Sequence, residues 1–307
     1  MWLRVLGCGA GGGFPQWNCG CPNCRAARDG SRPCRPRTQS SIAVSADYER
    51  WFVFNASPDI RAQIEAFPAL WPRRAVRHTP IQAVVLSDAE LDHTLGLLLL
   101  REGRRLRVYS TAWVRTALIE WNPVLRTLGT FAVVDWQPIR LDETVPLLTS
   151  EGIDSGVRCQ AFSTGTTKRP MFAPPDVATH AESSVGYRIW DDRSSQRLVY
   201  LPALESFNAV VRANLADCAC LLVDGTCWRD DEMARLGIAG KTAREMGHMP
   251  LGGEDGSLAK LAGLRLARTI LVHINNTNPV LIEDSAERRE VEACGIEVAV
   301  DGMEVEI

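Results

Sequence analysis

No run of apolar residues in this 307-residue chain reaches the roughly 18 that a bilayer crossing needs, so no transmembrane helix is expected. The opening stretch Met1-Trp2-Leu3-Arg4-Val5-Leu6-Gly7 lacks the charged start and long apolar core of a secretory signal, which predicts a cytoplasmic protein and no membrane partner. Surplus positive charge is missing too. The net charge is −3, and short basic spots such as 101–107 read as solvated turns, so nucleic acid is not an expected partner. There is no internal repeat, low-complexity tract or heptad pattern, and only five histidines.

A hydrophobic content of 46% is ample for a core. No linker interrupts the chain, so a single domain spanning 1–307 is expected. Residues 40–45 and 51–55 flank the polar turn 47–50, the pattern of a hairpin. Apolar runs at 81–86, 185–190, 198–201, 220–223 and 269–272 read as further strands. Helix-like segments lie between many of them, at 58–68, 94–103, 110–120, 206–215 and 255–266, and 166–184 reads as a surface loop. Hairpin strands followed by strands alternating with helices predict an α/β fold with mixed sheets and helices outside.

Ten cysteines are many for a reducing compartment. Most are scattered in apolar contexts and read as buried thiols. Cys19, Cys21 and Cys24 differ: three thiols within six residues of one loop suit a structural Zn(II) site, and the surrounding segment 15–35 reads as a zinc loop. The fourth ligand is left open between Cys34, Cys8 and a distant residue. Gly7-Cys8-Gly9-Ala10-Gly11-Gly12-Gly13 contains Gly-x-Gly-x-x-Gly, but Phe14-Pro15-Gln16-Trp17 follows instead of a helix. A dinucleotide site is therefore not expected, and the glycines are read as letting the loop approach a site closely.

The densest chemistry is Ser87-Asp88-Ala89-Glu90-Leu91-Asp92-His93, between the strand-like 81–86 and a helix expected to start at Thr94. Acids and a histidine at a strand end, facing a helix N-terminus, form a candidate metal site. His273 ends the strand-like run 269–272 before a polar loop, and is a second candidate ligand. His248, flanked by Gly247 and Met249-Pro250-Leu251-Gly252-Gly253, is a catalytic or substrate-contacting candidate, and His180 a weaker one.

The segments 11–19, 37–41, 55–61, 92–98, 223–226 and 247–250 carry a resemblance. The chain resembles the metallo-β-lactamase superfamily and, within it, the PqqB family of pyrroloquinoline quinone (PQQ) biosynthesis. The resemblance implies an αββα sandwich of two mixed β-sheets, with metal at the strand ends. It maps Asp92, His93 and His273 onto metal ligands. Asp88 and Glu90 stand where the superfamily has its first two histidines, and no bridging Asp stands near 200–204. His180 has the spacing of the middle histidine. His248 matches a histidine that the transfer-RNA-processing branch uses near substrate. Asn276 stands where a phosphodiesterase branch with a similar cysteine cluster has a zinc-binding histidine.

Two imidazoles and one carboxylate are the ligand type of non-haem Fe(II) oxygenases. Zinc in the same place would activate water instead. The expectation is an Fe(II)-dependent oxygenase, which the resemblance implies hydroxylates a tyrosine-derived PQQ precursor alongside other proteins of the pathway. Its substrate would be a quinone precursor with several carboxylates, for which Arg37 and Arg61 are the expected binders. The competing expectations are a metal-dependent hydrolase, with Asp88 or Glu90 as substitute ligands, and a carrier or transport protein for PQQ or its precursor.

Overall fold

The computed structural model describes residues 1–307 except 104, 167, 168 and 239, and the expected loop 166–184 lies outside the described residues at 167 and 168 only. The first sheet contains β1 (Trp2–Gly7), β2 (Ser41–Ser45), β3 (Trp51–Phe54), β4 (Ile81–Val85), β5 (Arg105–Ser110) and β6 (Val133–Pro138). The second contains β7 (Thr144–Leu148), β8 (Asp154–Ser163), β9 (Val185–Asp191), β10 (Arg197–Leu201), β11 (Cys218–Asp224), β12 (Thr269–Val272) and β13 (Glu297–Val298). The last strand, β14 (Glu304–Glu306), returns to the first sheet and pairs with β1. The orders are β14-β1-β2-β3-β4-β5-β6 and β13-β12-β11-β10-β9-β8-β7. Both sheets are mixed. β1, β2 and β3 pair antiparallel and β3 to β6 parallel; β7 to β10 pair antiparallel and β10 to β13 parallel.

Side chains alternate between two buried faces, because successive residues of a strand point opposite ways. Phe52 and Phe54 join the core between the sheets, with Val85, Tyr187, Tyr200 and Leu222. Trp51 and Val53 point outward, under the helical segments that supply Leu97, Val114 and Leu118. In β11, Cys220 and Leu222 face inward, while Leu221 and Val223 pack beneath Val211, Leu258 and Leu261. Burial on both faces is why these strands read as continuous apolar runs. The layers are helix, sheet, sheet, helix, as the family resemblance implies.

The expected helices are present but shorter. The segment 58–68 forms Ile60–Glu65, 206–215 forms Ala209–Leu215, and 255–266 forms Ser257–Leu264. The segment 94–103 is replaced by two single turns, Leu91–Thr94 and Gly96–Leu99. Helicity thus begins three residues before Thr94 and takes Asp92 and His93 onto its first turn. Among the described residues, no helix is long and apolar enough to cross a membrane.

Candidate metal centre

Parallel strands deliver their following loops to one edge of a sheet, and open α/β sheets place ligands there. The chain uses the loops after β4, β11 and β12. They bring together Asp88 to His93, Asp224 to Thr226, and His273. His273 is held at φ 54°, in the left-handed region that β-carbon-bearing residues rarely adopt. Its neighbours fix it there: Ile274 N–H donates to the Cys8 carbonyl at 2.8 Å and Asn275 N–H to the Thr226 carbonyl at 3.0 Å.

Asp92, His93 and His273 each offer a ligand atom, all within 4.8 Å of one another. Asp92 Oδ2 lies 3.3 Å from His273 Nε2 and 4.0 Å from His93 Nε2. His93 Nδ1 is clamped by both Asp88 oxygens, at 2.9 and 2.8 Å. A carboxylate only accepts, so Nδ1 carries the proton and Nε2 faces the other two ligands. That Nε2 is buried and has no hydrogen-bond partner among the described residues. A buried imidazole nitrogen without a partner, aimed at a carboxylate and a second imidazole, fits a metal ion. Burial alone would lower the pKa of His93, but the Asp88 and Asp92 carboxylates outweigh it and raise it to about 9. Burial opposes ionisation of Asp88, yet His93 holds it below the usual carboxylate range. Gly11 completes the wall. A β-carbon there would stand 3.3 Å from Asp92 Oδ2, so the glycine loop comes as close to the site as its sequence predicts.

Asp224, His248 and His273 also cluster, but through hydrogen bonds. His248 Nδ1 lies 2.7 Å from Asp224 Oδ2, and Thr226 Oγ1 lies 2.5 Å from Asp224 Oδ1 and 2.8 Å from His273 Nδ1. Since the carboxylate accepts from Thr226, the hydroxyl's lone pair takes the proton of His273 Nδ1. His273 Nε2 is then left bare for a metal, and His248 likewise keeps Nε2 for the cavity it lines. Burial disfavours a charged Asp224, but His248 and His273 pull its pKa below the ordinary range. Asp224 is the residue that sequence reasoning missed. Its place at the end of an apolar strand, in Val223-Asp224-Gly225-Thr226, was the available signal.

The cysteine loop forms a second, separate cluster. Cys21 caps the helix Pro22–Asp29, its sulfur accepting from Cys24 N–H, and the sulfurs of Cys19, Cys21 and Cys24 all lie within 4.8 Å of one another. Asn276 Nδ2 lies 3.2, 3.6 and 3.3 Å from the sulfurs of Cys19, Cys21 and Cys24. Three sulfurs and one amide make four corners, and a turn of that amide about its last bond would present its oxygen instead. The three sulfurs therefore fit zinc, and the Asn276 amide lies where a fourth ligand would stand. Cys8, whose sulfur lies against the Ala299 carbonyl at 3.3 Å, and Cys34, paired by its backbone with Ile282, are not in this group.

The first cluster opens into a cavity of about 590 Å³. Asp88, Glu90, Asp92, His93, His248 and His273 all line it. Three expectations fail on geometry. His180 is 56% exposed and accepts from Glu182 N–H at 3.2 Å, so a local turn takes it away from the metal ligands. Arg37 is buried elsewhere, with Nε on the Ala299 carbonyl and Nη1 on those of Arg35 and Pro36; it ties loops together. Arg61 points to solvent from the helix Ile60–Glu65, whose buried face is Ile60 and Gln63. Neither arginine lines the cavity. The segment read as a surface loop does: Thr166, Arg169, Pro170, Met171, Ser183 and Ser184 form one wall of it.

A family model described as a beta-lactamase superfamily domain matches residues 50–274. The coenzyme PQQ synthesis protein B of Methylococcus capsulatus is 48% identical over 99% of both chains. That of Azotobacter vinelandii is 45% identical over the full length of both. The crystal structure of Zn(2+)-bound PqqB from Methylobacterium extorquens superposes with a TM-score of 0.91 at 43% identity over all of both chains. A diphosphatase of the PhnP family, at 20% identity and TM-score 0.68 over 100% of this chain and 97% of its own, shares the fold. Strand-end ligands between two mixed sheets and full-length identity above 40% lead to one conclusion: the chain belongs to the coenzyme PQQ synthesis protein B family of the metallo-β-lactamase fold.

Proposed function

We propose that the chain is a cytoplasmic Fe(II)-dependent oxygenase of PQQ biosynthesis that hydroxylates a tyrosine-derived precursor. The observation that carries this reading is the unpartnered, buried Nε2 of His93 beside Asp92 Oδ2 and His273 Nε2. Two imidazoles and a carboxylate with open positions are an Fe(II) oxygenase donor set. Asp92, His93 and His273 would hold the ion, which when bound would supply activation of dioxygen. The net reaction would place one oxygen atom of dioxygen in an aromatic C–H bond and release the other as water, with two electrons and two protons supplied by an added reductant and solvent.

The chain's own residues supply orientation and proton transfer. Asp88 and Thr226 fix the tautomers of the two imidazole ligands. His248 lines the cavity with Nδ1 locked on Asp224, so its Nε2 can take a phenolic proton while Asp224 stabilises the imidazolium. Asp88 is spent on His93, which argues against a second metal held by the acids that replace the superfamily's leading histidines.

A second reading is a zinc hydrolase: the Methylobacterium extorquens relative is Zn(2+)-bound, and zinc held by Asp92, His93 and His273 would activate water instead. Metal analysis combined with oxygen uptake separates the two. Iron-loaded protein that consumes oxygen with an aromatic precursor supports the oxygenase. Full activity with zinc, under anaerobic conditions and with cleavage of a bond, would replace it by the hydrolase.

A further inference from the structure

The wall between β8 and β9 holds two polar groups with no assigned task. Ser184 is 7% exposed, and its hydroxyl is buried without a hydrogen-bond partner among the described residues. It lines the cavity beside Asp88, to which its backbone is bridged. Its backbone carbonyl is taken by Thr164, through N–H and hydroxyl, so the residue is held firmly while its side chain is idle. Arg169 is anchored through Nη1 alone, on the carbonyls of Pro174, Pro175 and Val177. Its Nε and Nη2 take no partner among the described residues. That edge is the planar fork that matches a carboxylate.

The rest of the lining fits the same ligand. Lys241 is a second cation, while Met171, Met233, Met246 and Pro170 supply apolar surface for a carbon skeleton. Of the acids, Asp88 and Asp92 are committed at the metal end, and Glu245 accepts from Thr242 N–H at 2.8 Å. Glu90, the remaining acid of the lining, follows Asp88 on the same loop.

We propose that Ser184 Oγ and the Nε–Nη2 edge of Arg169 are the recognition groups of this cavity for an organic polycarboxylate. This deepens the function proposed above by naming its substrate contacts, and it rests on the same cavity. Ser184 sits beside Asp88 and Arg169 lines the same cavity, so a rigid ligand bearing more than one carboxylate is oriented as well as held. Arg169 replaces Arg37 and Arg61 in the role the sequence assigned to them.

The test uses zinc-loaded full-length protein, so that binding is read without oxygen chemistry, and PQQ and its trimethyl ester as probes. Calorimetry should show that Arg169→Met weakens PQQ about tenfold, on the order of one charge-assisted hydrogen bond, and leaves the ester within twofold. Ser184→Ala should weaken PQQ about fivefold while Tm stays level or rises, since an unpartnered buried hydroxyl is removed. If Arg169→Met leaves PQQ affinity unchanged, or weakens ester and acid alike, the arginine only shapes the loop and the proposal falls. If Ser184→Ala lowers Tm and spares binding, an internal water satisfies the hydroxyl, and Ser184 is not a recognition group. Loss of oxygen uptake with normal PQQ binding would instead count against the oxygenase reading alone.

Discussion

Asp88 is the residue at which the oxygenase and hydrolase readings diverge most sharply. Both of its oxygens lie within 2.9 Å of His93 Nδ1, and Oδ1 also accepts from Glu90 N–H at 2.9 Å. It therefore acts on the metal through His93, holding the ring so that Nε2 faces Asp92 and His273. Asp88→Ala removes that acceptor and strands a protonated Nδ1 in a site where His93 is 2% exposed. The ring can then rotate, and its ligand nitrogen loses the negative partner that makes it more basic. Loss of an outer carboxylate of this kind typically weakens a metal about 10–100-fold, or about 1.4–2.7 kcal/mol. Asp88→Asn keeps one oxygen for Nδ1–H and should fall at the lower end of that range. Anaerobic Fe(II) titration with a competing chelator measures the affinity, and elemental analysis gives the stoichiometry. The catalytic-site stoichiometry at saturation should stay near one in both variants. Should Asp88→Ala instead remove a second ion and a hydrolytic activity together, Asp88 is a ligand and the mononuclear site is wrong. An affinity within twofold of the parent would show that the clamp does not orient His93.

Asp92→Ala and His273→Ala each delete one of three protein ligands, so iron content and oxygen-dependent turnover should vanish together; retained iron in either variant would remove that residue from the site. His248→Ala should keep its iron and lose about 10²–10⁴-fold in turnover, and a loss below tenfold would rule out a proton-transfer role. Cys21→Ser should release about one zinc and lower Tm, because binding at a structural site is coupled to folding; full zinc content with unchanged melting would contradict the cluster. Glu232 is buried, which raises its pKa in the folded protein, so its contribution is greatest below the unfolded value and is lost as pH rises through the folded one. Glu232→Gln should therefore flatten the fall of Tm as pH rises above the ordinary glutamate range, and an unchanged slope would show that other groups set it.

The sequence by itself determined the layers and three of the groups that meet at the sheet edge. Strands buried on both faces must be continuous apolar runs, so β3, β4, β11 and β12 are visible in any window. A histidine or acid at the end of such a run has only the sheet edge to go to, which made Asp92, His93 and His273 legible although 181 residues separate Asp92 from His273. Asp224 ends a strand in the same way, but the resemblance places the superfamily's bridging Asp near 200–204 and so draws attention away from it. What only the tertiary structure decided is the partnering. Whether Asp88 binds a metal or a histidine depends on a separation of about 3 Å across a loop, and spacing along the chain does not encode it. Whether Arg37, Arg61 or Arg169 meets a substrate depends on which way each loop turns after its strand. Arg37 found backbone carbonyls, Arg61 found water, and Arg169 found a cavity wall. Long polar side chains take whichever partner the packed backbone leaves within reach, and that is fixed only once both sheets have closed on each other.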